Sequence, residues 1–212
     1  MDTNELIRAI AADARRPGMP MRRAWQIAVL AAILLAGSVF LLMIGPRHDI
    51  GEALSTIRFP FKFLVTLTLA ASALALLRAL SRPTDVAPFR LLLLLLAPAL
   101  LAFAIATELL VVPPSQWMVR MIGTNSLFCL TFIPLIGIAP LAIFLATLRY
   151  GAPSRPATAG AVAGLLAGGV SASFYALHCP DDSPLFLSVW YTAAITILAA
   201  VGAIMAPRIA QW

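Results

Sequence analysis

Six long apolar runs divide this sequence, and they restrict its possible folds more than any other feature. They cover approximately residues 25–45, 61–80, 89–111, 126–148, 157–178 and 186–206. About 20 apolar residues are enough for an α-helix to cross a hydrocarbon layer ~30 Å thick. Membrane β-strands are shorter and alternate apolar with polar residues, which these runs do not do. The sequence therefore predicts an all-α integral membrane protein with six transmembrane helices in three hairpins.

The composition agrees with a chain that lies mostly in lipid. Hydrophobic residues make up 61% of the sequence and charged residues 11%, whereas charged residues are about a quarter of a soluble domain. We expect two parts: a cytoplasmic N-terminal segment, residues 1–24, and a transmembrane domain, residues 25–212. No cofactor motif and no catalytic signature is found, so an enzyme is not expected.

The distribution of Lys and Arg predicts the orientation in the membrane. Eleven of these residues lie in the N-terminal segment, the second and fourth connections and the C-terminal tail, against four on the other side. Because basic residues accumulate on the cytoplasmic side, both termini are expected in the cytoplasm. The net charge of +6 is dispersed in this way, and direct binding of nucleic acid is not expected.

The stretch His178-Cys179-Pro180-Asp181-Asp182-Ser183-Pro184 concentrates polar chemistry between the last two runs. It contains one of the two cysteines and one of the two histidines of the chain, and the orientation predicts that it faces outward. The other cysteine lies one turn into the fourth run, and an acidic residue lies near the outer end of the third. Six side chains are therefore expected at a similar depth: Glu108, Cys129, His178, Cys179, Asp181 and Asp182.

Three interpretations of the cysteines stay open from the residues alone. In the first, Cys129 is a small buried apolar residue, and the 178–184 stretch is a polar turn, since Asp, Ser and Pro suit turns. In the second, Cys129 and Cys179 form a redox pair on the oxidising side of the membrane. In the third, the two thiols and His178 bind a soft metal ion.

Ionisable residues inside the runs are rare, which argues against a transporter. Glu108 is the one acidic residue within a run, and proton- or ion-coupled carriers depend on such groups. Lys62 and Arg90 lie at run ends, where a long side chain is expected to extend its charge to the interface. A small transporter and a structural subunit of a membrane complex remain the alternatives.

The fifth run carries a stripe of small residues on one helical face. Gly160, Gly164 and Gly168 are four residues apart, and Ala172 and Ala176 continue the series. Small residues at this spacing allow a second helix to approach closely. We therefore expect this helix to pack tightly in the bundle.

The first 15 residues have the pattern of a short amphipathic helix. Asp2 followed by Glu5 is typical of a capping box, and Leu6, Ile7 and Ile10 fall on one face. A helix of about 12 residues is marginal in isolation, so it needs a surface. That surface is either its own bundle or the groove of a protein partner.

Taken together, these features resemble the NrsF-type membrane anti-sigma factors of proteobacteria. The resemblance comprises a segment T-x-x-L-I-x-x-(L/I)-A-x-D at residues 3–13, six spans, Cys129 in the fourth, and Cys179 in a CPDD turn after the fifth. Ile10 stands where that family has leucine, which preserves an apolar face.

The resemblance implies a regulatory protein that holds an extracytoplasmic-function sigma factor inactive at the cytoplasmic face of the bacterial inner membrane. It further implies release of the sigma factor under metal or oxidative stress, with Cys129 and Cys179 as the sensing pair. The implied sigma-binding segment contains Leu6, Ile7, Ile10 and Asp13. The glycine stripe of the fifth run is a candidate for the movement that would carry the signal across the membrane.

Overall fold

Six long helices form the fold of this chain in a computed structural model, which describes residues 2–7, 19–83 and 88–209. We call them spans one to six: Met21–Met43, Arg58–Leu80, Phe89–Val111, Ser126–Leu148, Pro156–Ala176 and Pro184–Ile209. Each is long and apolar enough to cross a membrane, and the described residues contain no strand. The prediction of an all-α chain with six transmembrane helices is confirmed.

Short helices occupy two of the connections. Ile50–Leu54 lies between spans one and two, and a 3₁₀ turn followed by Trp117–Ile122 lies between spans three and four. Span one ends at Met43, and Gly45, two residues later, has a left-handed φ of 63°, a conformation that glycine adopts without the steric cost of a side chain. Pro46 follows and prevents the helix from resuming.

Proline also explains the one interruption within span three. The helix runs from Pro88 to Leu93, passes through a turn and resumes over Leu96–Val111. Pro98 has no N–H to donate to the carbonyl of Leu94, and its ring crowds that carbonyl. The break therefore falls where the proline removes a helical hydrogen bond.

Span five is the centre of the bundle, because it packs against spans two, four and six. Its closest partner is span six, and the glycine stripe forms that contact: Gly160 faces Gly202, and Gly164 faces the backbone of Leu198 and Ala199. The expectation of tight packing at these glycines is confirmed.

We predict that Gly160→Ala destabilises the bundle. A Cβ at this position would collide with the Gly202 carbonyl and the Ala206 side chain, and overpacking of this kind costs about 1–3 kcal/mol. Thermal unfolding of the detergent-solubilised protein measures the effect. Gly51→Ala is the matched control, because a Cβ there meets no atom of the described residues within 4 Å; equal unfolding temperatures for the two variants would contradict the prediction.

Pairing of the spans follows the sequence order only in part. Spans five and six pack along their length, as a hairpin would, but span one packs mainly on span four and span two mainly on span five. An apolar groove of about 480 Å³ lies between spans one and two, with Leu166 and Val170 of span five among its lining residues. The arrangement as three hairpins stays a prediction.

Candidate functional site

Polar chemistry is concentrated where span five ends, in the segment that we call the cysteine loop, residues 177–183. Span five ends at Ala176, and Pro180 lies in the non-helical segment that follows. We call this end of the bundle the cysteine end; it also includes residues 44–57 and 112–125. Although the loop is short, it contacts the other five spans or the connections at their ends, as described below.

Both cysteines are unbridged and completely buried. Cys129 of span four and Cys179 of the cysteine loop belong to one cluster, which also contains Ile133, Tyr175 and Tyr191. The hydroxyl groups of the two tyrosines are buried and have no hydrogen-bond partner among the described residues. Buried hydroxyls without partners are uncommon, so this mainly apolar cluster contains two polar groups whose hydrogen-bonding capacity is unused.

The environment of Cys179 favours the neutral form of its thiol. Burial raises the pKa of this thiol above its ordinary value, and the positive charge of Lys62 opposes part of the rise. Since the thiolate is the reactive form, Cys179 is expected to react slowly at neutral pH while the loop stays closed. The thiol S–H is directed at the carbonyl of Asp181, at 3.8 Å.

Lys62 occupies an unexpected position. Its side chain is 0% exposed, so the expectation that it extends to the interface is wrong. The ammonium group instead turns into the bundle, where it donates a hydrogen bond of 2.8 Å to the carbonyl of Cys179 and lies 2.5 Å from an Asp182 carboxylate oxygen. A buried cation is tolerated when it is paired in this way, and removal of one partner of a buried ion pair typically costs about 3–5 kcal/mol.

Arg47 provides a second cation to the same two groups. Its guanidinium donates to Asp182 at 3.2 Å and to the Cys179 carbonyl at 3.4 Å. It also forms two hydrogen bonds with Asp49, which lower the pKa of that carboxyl to about 2 and raise the pKa of Arg47. The carboxylates on both sides therefore fix the guanidinium against the loop.

Asp181 connects the cysteine loop to span four. Its carboxylate accepts hydrogen bonds from the backbone N–H groups of Thr124 and Asn125, at 3.0 and 2.9 Å. Asn125 immediately precedes the first residue of span four, where N–H groups have no partner within the helix. A carboxylate at a helix N-terminus is also favoured by the helix dipole, so Asp181 stabilises the start of the span that carries Cys129.

His178 and Ser183 attach the two ends of the loop. The Nδ1 atom of His178 lies 2.9 Å from the Gly45 carbonyl oxygen, and since a carbonyl only accepts, the ring carries a proton on that nitrogen. The Ser183 hydroxyl accepts from the N–H of Leu185 at the start of span six and donates to Glu108 at 3.4 Å.

Glu108 is buried within span three and balanced by two arginines. Arg58 of span two donates to one carboxylate oxygen at 2.7 Å, and Arg120 donates to the other at 3.0 Å. The pairing joins spans two and three to the connection before span four. Glu108 thus stabilises the cysteine end, and it contacts the cysteine loop by accepting the hydrogen bond from Ser183.

The structure brings the predicted outer residues to one end of the bundle. Cys129 and Cys179 share a buried cluster, whereas His178, Asp181, Asp182 and Glu108 bind different neighbours around it. Sequence reasoning missed Lys62 and Arg47, which supply the positive charge next to Cys179. The signal that could have found Lys62 is its place inside an apolar run, where an ionisable residue suggests a buried partner.

The proposed binding segment is only partly within the described residues. Residues 3–7 are helical, and in them Leu6 and Ile7 are 44% and 58% exposed. These two apolar side chains are therefore available to another surface. Ile10 and Asp13, the other two residues of the predicted segment, lie outside the described residues.

Among the described residues, no group of three or more His, Cys, Asp or Glu side chains is placed to hold a metal ion. The charged side chains around the cysteine loop instead pair with one another across the spans. The chain is thus an all-helical protein with six candidate membrane spans and one polar end held together by ion pairs and hydrogen bonds.

Comparison with known proteins identifies the family. The family model for NrsF, negative regulator of sigma F, matches residues 10–212, and the chain belongs to this family. It is 34% identical to a probable anti-sigma-F factor of Azospira oryzae and 32% identical to the anti-sigma-F factor of Caulobacter vibrioides, each aligned over the whole of both chains. No solved structure matches. The chain is accordingly an anti-sigma factor, a regulatory class.

Proposed function

We propose that this protein holds a sigma factor of the extracytoplasmic-function class at the inner membrane through its cytoplasmic N-terminal segment. In this proposal, external stress acts on the thiols of Cys129 and Cys179 and causes release of the sigma factor. Family membership supports a sigma factor as the partner, and the relatives in Azospira oryzae and Caulobacter vibrioides are named as anti-sigma-F factors. The choice of sigma class rests on the resemblance in the sequence.

One observation carries the sensory part of the proposal. The cysteine loop follows directly after span five. It makes polar contacts with spans one to four or with their connections, and its Ser183 caps the start of span six. A chemical change at Cys179 therefore disturbs contacts to the whole bundle rather than to one helix. Oxidants and soft metal ions both act on thiols, and both are included as signals.

The N-terminal part of the proposal rests on the exposed apolar side chains of Leu6 and Ile7. A short helix with an uncovered apolar face is suited to a groove on a partner. The segment lies at the end that the distribution of basic residues assigns to the cytoplasm, where a sigma factor is found. The alternative of a transporter rested on Glu108, and the pairing of this residue with Arg58 and Arg120 gives it a structural role instead.

Deletion of residues 1–14 tests the proposal directly. We expect the truncated protein to reach the membrane in normal amounts, because the six spans are intact, and to lose its sigma factor completely. Affinity purification from detergent-solubilised membranes, together with a sigma-dependent transcriptional reporter, measures both effects. Unchanged repression by the truncated protein would disprove the role of this segment.

A further inference from the structure

Lys62 is the most deeply buried charged side chain among the described residues. It lies one turn into span two with 0% exposure, and its ammonium group is 5.4 Å from the centre of the Phe59 ring. A long flexible side chain at this depth could reach the interface. It points instead toward the cysteine loop, which indicates that its contacts there outweigh exposure to water.

The contacts of Lys62 fall on both sides of the loop's proline. The ammonium binds the carbonyl of Cys179 at 2.8 Å and the carboxylate of Asp182 at 2.5 Å. The backbone of the cysteine itself is therefore attached to span two by a charge-assisted hydrogen bond, which is about twice as strong as a neutral one. Arg47 binds the same two groups from the connection after span one, with longer bonds.

We propose that Lys62 is a positioning residue for Cys179: its bonds hold the cysteine loop closed over the buried thiol, and reagents reach the thiol only when those bonds break. The proposal rests on the proposed function only for its regulatory meaning, since it concerns access to the thiol. Under this proposal, a residue of span two, and not only the cysteines themselves, determines how accessible Cys179 is.

The physical reason is the cost of leaving a cation alone in an apolar site. If the loop moves outward, Lys62 loses the Cys179 carbonyl and the Asp182 carboxylate together. The ammonium group must then be hydrated instead, at the end of span two that lies next to the loop. Partial opening is therefore unfavourable, because it separates the charges without hydrating them. Exposure of the thiol is therefore coupled to the loss of both Lys62 contacts.

Alkylation kinetics test this coupling. The parent is full-length protein with Cys129→Ala, in which Cys179 is the single remaining cysteine, reconstituted in lipid nanodiscs. Its reaction with iodoacetamide is followed by mass spectrometry over a pH series. At high pH the exposed thiol is fully ionised, so the plateau rate measures how often Cys179 is accessible to the reagent. The pH midpoint of the rate profile measures instead the effect of nearby charges on the thiol.

In this background Lys62→Met is expected to raise the plateau rate about tenfold, the equivalent of about 1.4 kcal/mol in the closing equilibrium. Methionine preserves the length and apolar stem of lysine but cannot bind the carbonyl. Lys62→Met combined with Asp182→Asn removes both charges of the buried pair, so that no carboxylate is left without its lysine. The increase in the double variant is expected to be at least as large, because Asp182→Asn also weakens the contact of the loop with Arg47.

Arg78→Met is the matched control in span two. Arg78 is a cation in the last turn of the same span, at the opposite end from Lys62; it is exposed, and among the described contacts it forms no hydrogen bond or ion pair with the cysteine loop. The plateau rate of this variant should stay within twofold of the parent. The proposal would be overturned by an unchanged plateau rate in the folded Lys62 variants, by a shift of the pH midpoint alone, or by an equal rise with Arg78→Met. None of these outcomes depends on a sigma factor, so they are distinct from failure of the proposed function.

Discussion

Replacement of Leu6 with aspartate is expected to abolish retention of the sigma factor and to turn on its target genes without any stress. Leu6 is 44% exposed beside the still more exposed Ile7, so the free protein loses little when either side chain becomes polar. In the complex, by contrast, a central apolar anchor is desolvated, and its loss typically costs 2 kcal/mol or more, roughly a thirtyfold weaker affinity. A buried aspartate adds an unpaired charge to that cost.

The measurement compares the sigma factor that co-purifies with the variant and the parent, at equal amounts of membrane protein. Glu5→Gln is the control, since it alters the neighbouring residue and removes a charge without changing the apolar face. It should bind as the parent does. If Leu6→Asp retained a normal amount of sigma factor, the contact would have to lie elsewhere in the chain.

Loss of both thiols is expected to abolish induction by stress and to leave repression intact. Cys129 and Cys179 lie in one buried cluster, and no other cysteine is present in the sequence. In the double variant Cys129→Ala/Cys179→Ala, cadmium and diamide should therefore have no thiol on which to act. The reporter should stay at its uninduced level under both treatments, and the sigma factor should remain bound.

Alanine is preferable to serine here because both sites are completely buried, and a serine hydroxyl without a partner would itself cost about 1–3 kcal/mol. The two single variants then separate a pair from a single reactive thiol. Loss of induction in both supports the pair, whereas loss in Cys179→Ala alone would restrict sensing to the loop. Induction of the double variant to the parental level would refute sensing by cysteine.

The spans could be predicted from the sequence because each depends on its own residues. An apolar run of sufficient length is stable in lipid whatever its neighbours are, and the structure agrees with all six. The close contact of span five also followed from local information, since Gly160 and Gly164 share one face of a helix. The partner on that face, span six, was not evident from the spacing.

Lys62 shows why other features could not be predicted. Its environment depends on the carbonyl of Cys179, which is 117 residues away in the sequence, and on the carboxylate of Asp182. A sequence pattern indicates that a lysine lies near the end of a span, but not whether an acceptor lies beside it. The same holds for Asp181, which looked like an ordinary turn residue and in fact stabilises the start of span four.

The sequence by itself determined that this chain has six helical spans and that its two cysteines lie near the same end of them. The free energy of placing a helix in lipid is approximately a sum over the residues of that one segment, and it can therefore be evaluated from the sequence. The tertiary structure alone decided which charges surround Cys179, how Asp181 and Glu108 are used, and that the thiols share one buried cluster. Hydrogen bonds and ion pairs depend on distances of about 3 Å between groups remote in sequence, and only the packing of the helices sets those distances.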